Sequence, residues 1–342
     1  MRLWIFLAVV LLPGRACAAA LIEEERLAEY NKRNYTWPLT AVNPNTEGWK
    51  RRMLHRLSQV ERIKVSSSNR YNGFMTTMLA AITSPHFTES GWGLARAPPD
   101  ILQDLQESLR NGLLDAEEEN YVDSIDGAER PLFIHQHELN DRILTSLLPQ
   151  HEEWAGVPLV GSKAYGLRVY RNSSRLLMHV DKPDTHVISC ILHVDHSEDS
   201  EPWPIYMEDF QGNTNEVVLE AGDMLFYESS KCFHGRPKRF EGSWYSSLFV
   251  HYRPRDWDLE KTMLETHYAI PPHWDTAVEQ DKPDLEEVQM IGSCMIEPDC
   301  PEQWCGTKDT VKWNGPGIDG KVISTGFQYE DTVASNSGGD EL

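Results

Sequence analysis

Between residues 167 and 252 the sequence alternates short apolar segments with turn residues, and this pattern restricts the fold more than any other feature. Seven segments rich in β-branched, aromatic and aliphatic residues are separated by Pro, Gly, Asn and Asp. They cover residues 167–170, 176–180, 187–194, 205–207, 216–219, 224–227 and 244–252. Seven strands in about 90 residues predict a β-sandwich or barrel of the jelly-roll type.

The sequence on either side of these strands has a different character. Residues 19–155 read as a mostly helical region, with leucines at helical spacing between 101 and 113 and an amphipathic helix from Leu139 to Leu148 that Pro149 ends. Residues 258–342 are rich in Pro, Gly and acids, which predicts an irregular acidic extension. The predicted fold is therefore α+β, with a jelly-roll domain at 156–257 as its core.

The first residues have the order of a secretory signal peptide. An apolar run at 3–12 follows Arg2, and the small residues of Ala16-Cys17-Ala18 come after it. We expect residues 1–18 to be removed, with a second register for the cut two residues further on and a buried N-terminal helix as the alternative. The run is shorter than the roughly 20 residues that a bilayer requires, so no membrane span is predicted.

Charge and short motifs indicate the compartment. The net charge is −21 and no stripe of Lys and Arg exists, which argues against a nucleic-acid partner. The sequence ends in Gly-Asp-Glu-Leu at 339–342, and its last three positions resemble the endoplasmic-reticulum retrieval signal. We expect a protein of the endoplasmic-reticulum lumen, with secretion as the alternative. Asn34 and Asn172 begin glycosylation triplets that only this pathway could use.

Five cysteines follow the predicted signal peptide, so at least one thiol has no partner within the chain. Cys190 lies in an apolar strand, where a free cysteine packs as a small apolar residue, and we expect it to be reduced. Cys232 stands close to the predicted site described below. Any disulfide is expected among Cys294, Cys300 and Cys305.

One set of residues in the strand region predicts a metal site. His179 and Asp181 are two apart on a strand, so their side chains point to the same face. His234 follows 55 residues after His179 and opens a later strand, which can lie against the strand of His179 in a jelly roll. Two imidazoles and one carboxylate form the facial triad of non-heme Fe(II) oxygenases. We therefore predict that His179, Asp181 and His234 bind iron.

With these motifs, residues 165–257 resemble the 2-oxoglutarate- and Fe(II)-dependent oxygenases, and within them the prolyl 4-hydroxylase-like group. The run from His179 to Pro183 is similar to that group's metal motif, and His234 matches its distal histidine. The resemblance implies a double-stranded β-helix with helices packed on one sheet. It also implies Fe(II), 2-oxoglutarate as cosubstrate and ascorbate as an optional cofactor.

The resemblance further implies a reaction. Oxidative decarboxylation of 2-oxoglutarate to succinate would be coupled to hydroxylation of an unactivated C–H bond, with a polypeptide as substrate and peptidyl proline as the favoured residue. Two other interpretations stay open at this point. One is a catalytically inactive jelly roll of the secretory pathway that binds a peptide or glycan, and the other is an iron enzyme with a different reductant.

A second pair with the same spacing, His193 and Asp195, competes for the metal. His234 follows His193 by only 41 residues. In the strand order of the similar family, the metal motif also precedes the strand on which His193 lies. His179 and Asp181 therefore remain the predicted ligands.

The sequence departs from the family at the residue that binds the far carboxylate of 2-oxoglutarate. The family has Arg or Lys nine or ten residues after the distal histidine, but Ser243 and Trp244 stand here. Three residues could replace that cation, namely Arg236, His193 and Arg168. An uncompensated buried charge costs several kcal/mol, so a partner for the carboxylate is required.

Tyr170, nine residues before His179, resembles the family tyrosine that hydrogen-bonds the same carboxylate. We expect Tyr170 and His193 to face the same interior and to share the carboxylate. Arg236 is the next candidate.

Overall fold

The computed structural model describes residues 14–33, 35, 37, 39–64, 66–120, 124–276, 288–296, 310–314 and 323–324. Its helices are α1 (Gly14–Arg33), α2 (Glu47–Glu61), α3 (Ser67–Met78), α4 (Pro99–Gly112), α5 (His137–Ser146), α6 (Leu148–Ala155) and α7 (Leu259–Ala269), with a π-helical turn at Leu79–Thr83. Within these ranges, no helix combines the length and apolar character needed to cross a membrane.

Several predicted features lie outside the described residues. They are residues 1–13 of the predicted signal peptide, Asn34, Cys300, Cys305 and the Gly-Asp-Glu-Leu ending. The predictions made from them stay predictions.

Sixteen strands are present in the described part of the chain. They are β1 (Trp92–Arg96), β2 (Glu117–Glu118), β3 (Ile125–Asp126), β4 (Leu132–Phe133), β5 (Leu159–Arg171), β6 (Arg175–His179), β7 (Ile188–His196), β8 (Ile205–Glu208), β9 (Thr214–Val218), β10 (Asp223–Tyr227), β11 (His234–Arg236), β12 (Trp244–Pro254), β13 (Gln289–Ile291), β14 (Cys294–Ile296), β15 (Thr310–Asn314) and β16 (Ile323–Ser324). All seven predicted strand segments are among them.

The strands form two sheets that are antiparallel throughout except for one pair. The first sheet has the order β16-β1-β10-β7-β12-β5-β4-β2, and the second has the order β13-β14-β6-β11-β8-β9-β15, with β3 beside β6. Only β15 and β9 pair in parallel. The eight strands from β5 to β12 thus divide equally between the sheets, with β5, β7, β10 and β12 in the first and β6, β8, β9 and β11 in the second.

Strand alternation produces two apolar layers. On β7, Cys190, Leu192 and Val194 point to the outer face of the first sheet, where residues of α4, α5 and α6 cover them. Ile191 points the other way, into an apolar cluster that both sheets share with α2 and α3. Cys190 is buried and unpaired, as predicted, and burial raises the pKa of its thiol.

A buried ion pair joins α2 to the second sheet. Both Nη2 contacts of Arg56 with the carboxylate of Glu208, on β8, measure 2.8 Å, and neither side chain reaches solvent. The Arg56 guanidinium also stacks over the ring of Phe233 at 3.8 Å. Charge-assisted hydrogen bonds are stronger than neutral ones, and here a single nitrogen contacts both carboxylate oxygens. The helix is thereby held against the strands next to β11.

The regions flanking the jelly-roll strands differ from the prediction. The region expected to be mostly helical contributes β1, which pairs with β10 inside the first sheet. Pro149 lies in the first turn of α6 rather than ending a helix. The N–H groups of the first turn have no partner within the helix, so the missing N–H of proline costs nothing there. The extension expected to be irregular contains α7 and four short strands that join both sheets.

His151 on α6 is a fully buried histidine beneath the first sheet. Its ring lies 4.4 Å from the rings of Phe226 and Tyr252, and its Nδ1–H donates to the carbonyl of Leu147 at 2.7 Å. Burial lowers the pKa of the imidazole to about 4, and the bond to Leu147 offsets only part of that effect. Protonation of His151 therefore opposes folding.

This arrangement predicts an acid-sensitive fold. The unfolded chain binds a proton at His151 as pH falls below about 6.5, whereas the folded chain resists until about pH 4. Between pH 7 and pH 5 the wild-type protein should lose about 2 kcal/mol of unfolding free energy through this residue. In denaturant titrations, the unfolding free energy of His151→Leu should fall by correspondingly less between pH 7 and pH 5 than that of the wild type. The unfolding free energy of the exposed His137→Leu should fall as it does in the wild type. An equal pH slope in all three proteins would contradict the assignment.

Candidate metal centre

The two histidines of the predicted triad face each other across a pair of strands. His179 ends β6 and His234 begins β11, and the antiparallel register places them directly opposite each other. Their ring centroids are 4.4 Å apart. The structure thus gives the strand contact that the sequence predicted.

A backbone carbonyl fixes the tautomer of each histidine. Nδ1 of His179 lies 2.7 Å from the carbonyl of Leu177, and Nδ1 of His234 lies 3.0 Å from the carbonyl of Cys232. Since a carbonyl only accepts, both Nδ1 atoms carry the proton. Each Nε2 is left with a free lone pair, the form in which imidazole binds a metal.

Asp181 completes the cluster. Its Oδ1 is 3.5 Å from Nε2 of His179 and 3.8 Å from Nε2 of His234, and the three potential ligand atoms lie within 4.8 Å of one another. Burial opposes ionisation of Asp181, and charge on His234 and His179, when these imidazoles are protonated, holds the pKa of the carboxyl well below its usual range. Burial lowers the pKa of His234 to about 4. At neutral pH the carboxylate is charged and His234 is not.

These protonation states leave three lone pairs aimed at one another with no hydrogen between them. Oδ2 of Asp181 also accepts no hydrogen bond from the described residues. Converging acceptors in a buried site are unfavourable unless a cation lies among them. A donor set of two imidazoles and one carboxylate suits a divalent transition metal such as Fe(II), so the residues fit the predicted ion.

The cluster lies on the wall of a cavity of about 500 Å³, within the size range of small-molecule sites. The first sheet contributes Ile191, Tyr227 and Phe249 to the lining, and the hairpin of β13 and β14 contributes residues 292–294. The mixed apolar and charged lining can hold a small charged molecule beside the metal ligands.

Arg168, on β5, is the buried cation of this cavity. Its Nε and Nη2 donate to the carboxylate of Glu119 at 2.6 and 2.7 Å, and Nη1 donates to the hydroxyl of Tyr170 at 3.3 Å. The Tyr165 hydroxyl donates to the same carboxylate at 2.5 Å. Because Nη1 has two hydrogens, it keeps one for a ligand.

The residues expected to bind the cosubstrate do not line the cavity, which corrects their predicted position. Tyr170, His193 and Arg236 do share one interior, but they pack around Trp203 and Tyr245. The Arg236 guanidinium lies 4.6 Å from the Trp203 ring centroid and donates to the Tyr245 hydroxyl at 3.1 Å. Tyr170 reaches the cavity only through Arg168. Alternation along the strands indicated which side chains point into the interior, but it could not indicate how far each one lies from the cavity.

The second pair, His193 and Asp195, forms no metal cluster. Nδ1 of His193 donates to the carbonyl of Ser246 at 3.0 Å, and Nε2 lies 2.8 Å from Nδ1 of His196. The carboxylate of Asp195 accepts from the backbone N–H of His196. Both ring nitrogens of His193 are therefore engaged in hydrogen bonds that hold it in the interior.

His251 and His186 are cavity residues that the sequence did not single out. The hydroxyl of Ser229 donates to the carbonyl of His186 at 2.7 Å, so Ser189 must donate to Ser229, and Nδ1 of His251 must donate to Ser189 at 2.8 Å. This series of hydrogen bonds leaves Nε2 of His251 as an acceptor, with no partner among the described residues. The two imidazoles contact each other in a tilted arrangement, with centroids 3.7 Å apart and ring planes at 38°. Inward alternation on β12 was the signal that could have identified His251.

The turn before His234 is anchored to the helical region. The ammonium of Lys231 donates to the carbonyls of Ala80 and Ser84 at 2.5 and 2.8 Å, and the carboxylate of Glu228 accepts three hydrogen bonds from Phe87 and Thr88. Burial lowers the pKa of Lys231 and raises that of Glu228. The position of His234 therefore depends on residues well outside the jelly-roll strands.

Removing either histidine of the triad should abolish metal binding. We expect His179→Ala and His234→Ala to weaken Fe(II) or Mn(II) affinity by at least about 100-fold, since even groups that only orient a metal-binding histidine are worth about 10- to 100-fold. Asp181→Ala removes the anionic ligand and should also weaken affinity. Anaerobic calorimetry measures this, with the exposed His137→Ala as control and circular dichroism to verify folding. Undiminished affinity in all three variants would refute the site.

Comparisons with known proteins give only distant likenesses. No family model matches the sequence, and no curated protein matches it. A Pseudomonas putida prolyl-4-hydroxylase aligns at 19 % identity over 48 % of this chain and 93 % of its own, with a TM-score of 0.39. A Trichoplax adhaerens prolyl hydroxylase, solved with a hypoxia-inducible-factor peptide, aligns at 11 % identity over 58 % and 93 %, also at 0.39. HygX from Streptomyces hygroscopicus, solved with nickel, 2-oxoglutarate and hygromycin B, aligns at 10 % over 49 % and 84 %, at 0.38.

Proposed function

We propose that the protein is an Fe(II)- and 2-oxoglutarate-dependent hydroxylase that acts on a polypeptide. The observation that carries this proposal is the convergence of three lone pairs, from His179, Asp181 and His234, at the wall of a 500 Å³ cavity. The eight strands β5 to β12 divide into the orders β10-β7-β12-β5 and β6-β11-β8-β9, the order of a double-stranded β-helix, which supports the same class.

In this proposal the triad holds Fe(II), which supplies activation of dioxygen when bound. The overall reaction consumes 2-oxoglutarate, dioxygen and a C–H bond and yields succinate, carbon dioxide and a hydroxyl group. Asp181 offsets one charge of the ion, and the carbonyls of Leu177 and Cys232 keep both imidazoles in the metal-binding tautomer. Peptidyl proline is the favoured substrate residue, by family analogy alone.

Arg168 is the residue that we propose for the far carboxylate of 2-oxoglutarate, in place of the expected His193 and Arg236. It is the buried cation on the cavity wall, and Tyr170 contacts it through a hydroxyl. Glu119 keeps the guanidinium oriented by bonding to its other edge. A carboxylate at Nη1 would thus meet a group that is already positioned.

The reaction is tested by incubating the purified protein with Fe(II), ascorbate and 2-oxoglutarate in air and measuring succinate. We expect succinate release even without a substrate, and none from His179→Ala. A protein that binds the metal but releases no succinate would instead be the inactive binding protein. Oxygen consumption without succinate would indicate an iron enzyme with another reductant.

The carboxylate partner is tested by a pair of substitutions that leaves no orphaned charge. Arg168→Gln combined with Glu119→Gln removes the cation together with its counterion. We expect the KM for 2-oxoglutarate to rise at least tenfold, about 1.4 kcal/mol, with Mn(II) affinity retained. His193→Ala serves as the comparison variant. A tenfold rise in His193→Ala, with no change in the double variant, would transfer the role to His193.

We also propose that the protein resides in the lumen of the endoplasmic reticulum. Asn172 is exposed in the turn between β5 and β6, where a glycosyltransferase could reach it. The expressed protein should lose mass on endoglycosidase treatment, and Asn172→Gln should remove one such step. Removing residues 339–342 should send it to the medium. An unglycosylated protein in the cytosol would contradict this localisation.

A further inference from the structure

We propose that the polypeptide substrate has a carboxylate near the residue that reacts, and that Lys163 and Lys182 at the cavity bind this carboxylate. The inference rests on the proposed function and adds a substrate class to it. It depends on where these two lysines lie, on what pairs with them and on the charge that the cavity would otherwise contain.

The two lysines reach the cavity from different elements. Lys163 lies on β5 directly opposite His251 on β12, and its ammonium stands 4.5 Å from the ring centroid of Tyr165, another lining residue. Lys182 follows Asp181 in the loop after β6. Both lysines are exposed, and both line the cavity together with His186. Burial lowers the pKa of His186 most, Asp181 and Asp184 raise it, and the two lysines lower it, so both lysine charges act on that side of the cavity.

Neither lysine has an acidic partner in the part of the chain that the structure describes. Arg168, in contrast, is paired on one whole edge with Glu119. Among the described residues that line the cavity, Asp181 is the single acid.

The charges in the cavity leave room for one more anion. Counted over the described lining residues and a bound divalent ion, the ion and two lysines are opposed by Asp181, while the Arg168–Glu119 pair is neutral overall, which leaves three positive charges. Dianionic 2-oxoglutarate would remove two charges, and one would remain. A carboxylate of the substrate would neutralise it.

Two parts of a polypeptide offer a carboxylate, an acidic side chain and the free C-terminus, and the experiment separates them. Four fluorescent nonapeptides share a central proline and differ otherwise only in charge. The first three have amidated ends and flank the proline with Glu, Gln or Lys, and the fourth is the Gln peptide with a free C-terminus. Anisotropy titrations with Mn(II) and 2-oxoglutarate measure binding without turnover.

We expect the Glu peptide to bind at least tenfold more tightly than the amidated Gln peptide. Lys163→Glu combined with Lys182→Glu should remove this preference and favour the Lys peptide. Lys261→Glu, a charge reversal at an exposed position of α7, should behave as wild type. Tighter binding of the Gln peptide with the free C-terminus than of the Glu peptide would assign the lysines to a chain end.

Equal affinity for the Glu and amidated Gln peptides, or no binding of either, would overturn the inference. A preference for Glu that survives the double reversal would also overturn it, because the lysines would then not be its source. Succinate release reports separately on the proposed reaction. Selective binding of the Glu peptide without succinate would refute the hydroxylase but not the charge selection.

Discussion

The pairing of β6 with β11 is the contact on which the site depends. It places His179 opposite His234, and the hydrogen bonds of the ladder determine how far apart the two rings lie. β11 has only three residues, so its own ladder cannot fix its position. Two other contacts fix the position of β11. One is its pairing with β8, which Glu208 and Arg56 join to α2. The other is the Lys231 ammonium, which binds the helical region just ahead of β11.

Around that pairing, the direction of each hydrogen bond determines the chemistry. Carbonyl oxygens can only accept hydrogen bonds, and one carbonyl faces Nδ1 of His179 and another faces Nδ1 of His234. A third carbonyl, that of His186, accepts from Ser229 and so sets the direction of the hydroxyl hydrogen bonds that end at His251. The backbone thus fixes the tautomer of three imidazoles in one cavity. Backbone carbonyls do not ionise, so each keeps its role as acceptor whatever the pH.

The sequence predicted the features that depend on local pattern. Seven strands follow from alternation and turn residues. The spacing of His179 and Asp181 predicted that both side chains meet at one site, although β6 ends at His179 and Asp181 lies in the loop beyond it. Residues whose roles depend on contacts far along the chain were not predictable in this way. Arg168 was one of three candidate cations, and its place in the cavity lining together with its pairing to Glu119, 49 residues away, distinguishes it from Arg236. The short strands after α7 were missed because two to five residues are too few to show a periodicity.

The position of β1 has a consequence for how separable the strand region is. This strand comes from residues 92–96, ahead of the jelly-roll segment, and is hydrogen-bonded to β10 along its whole length. A fragment beginning near residue 156 would expose the edge of β10 and would lose the carbonyls that hold Lys231. Unpaired edges of this kind recruit other strands and aggregate. In this chain the strands of the jelly roll are therefore completed by β1 and by the helical region that precedes them.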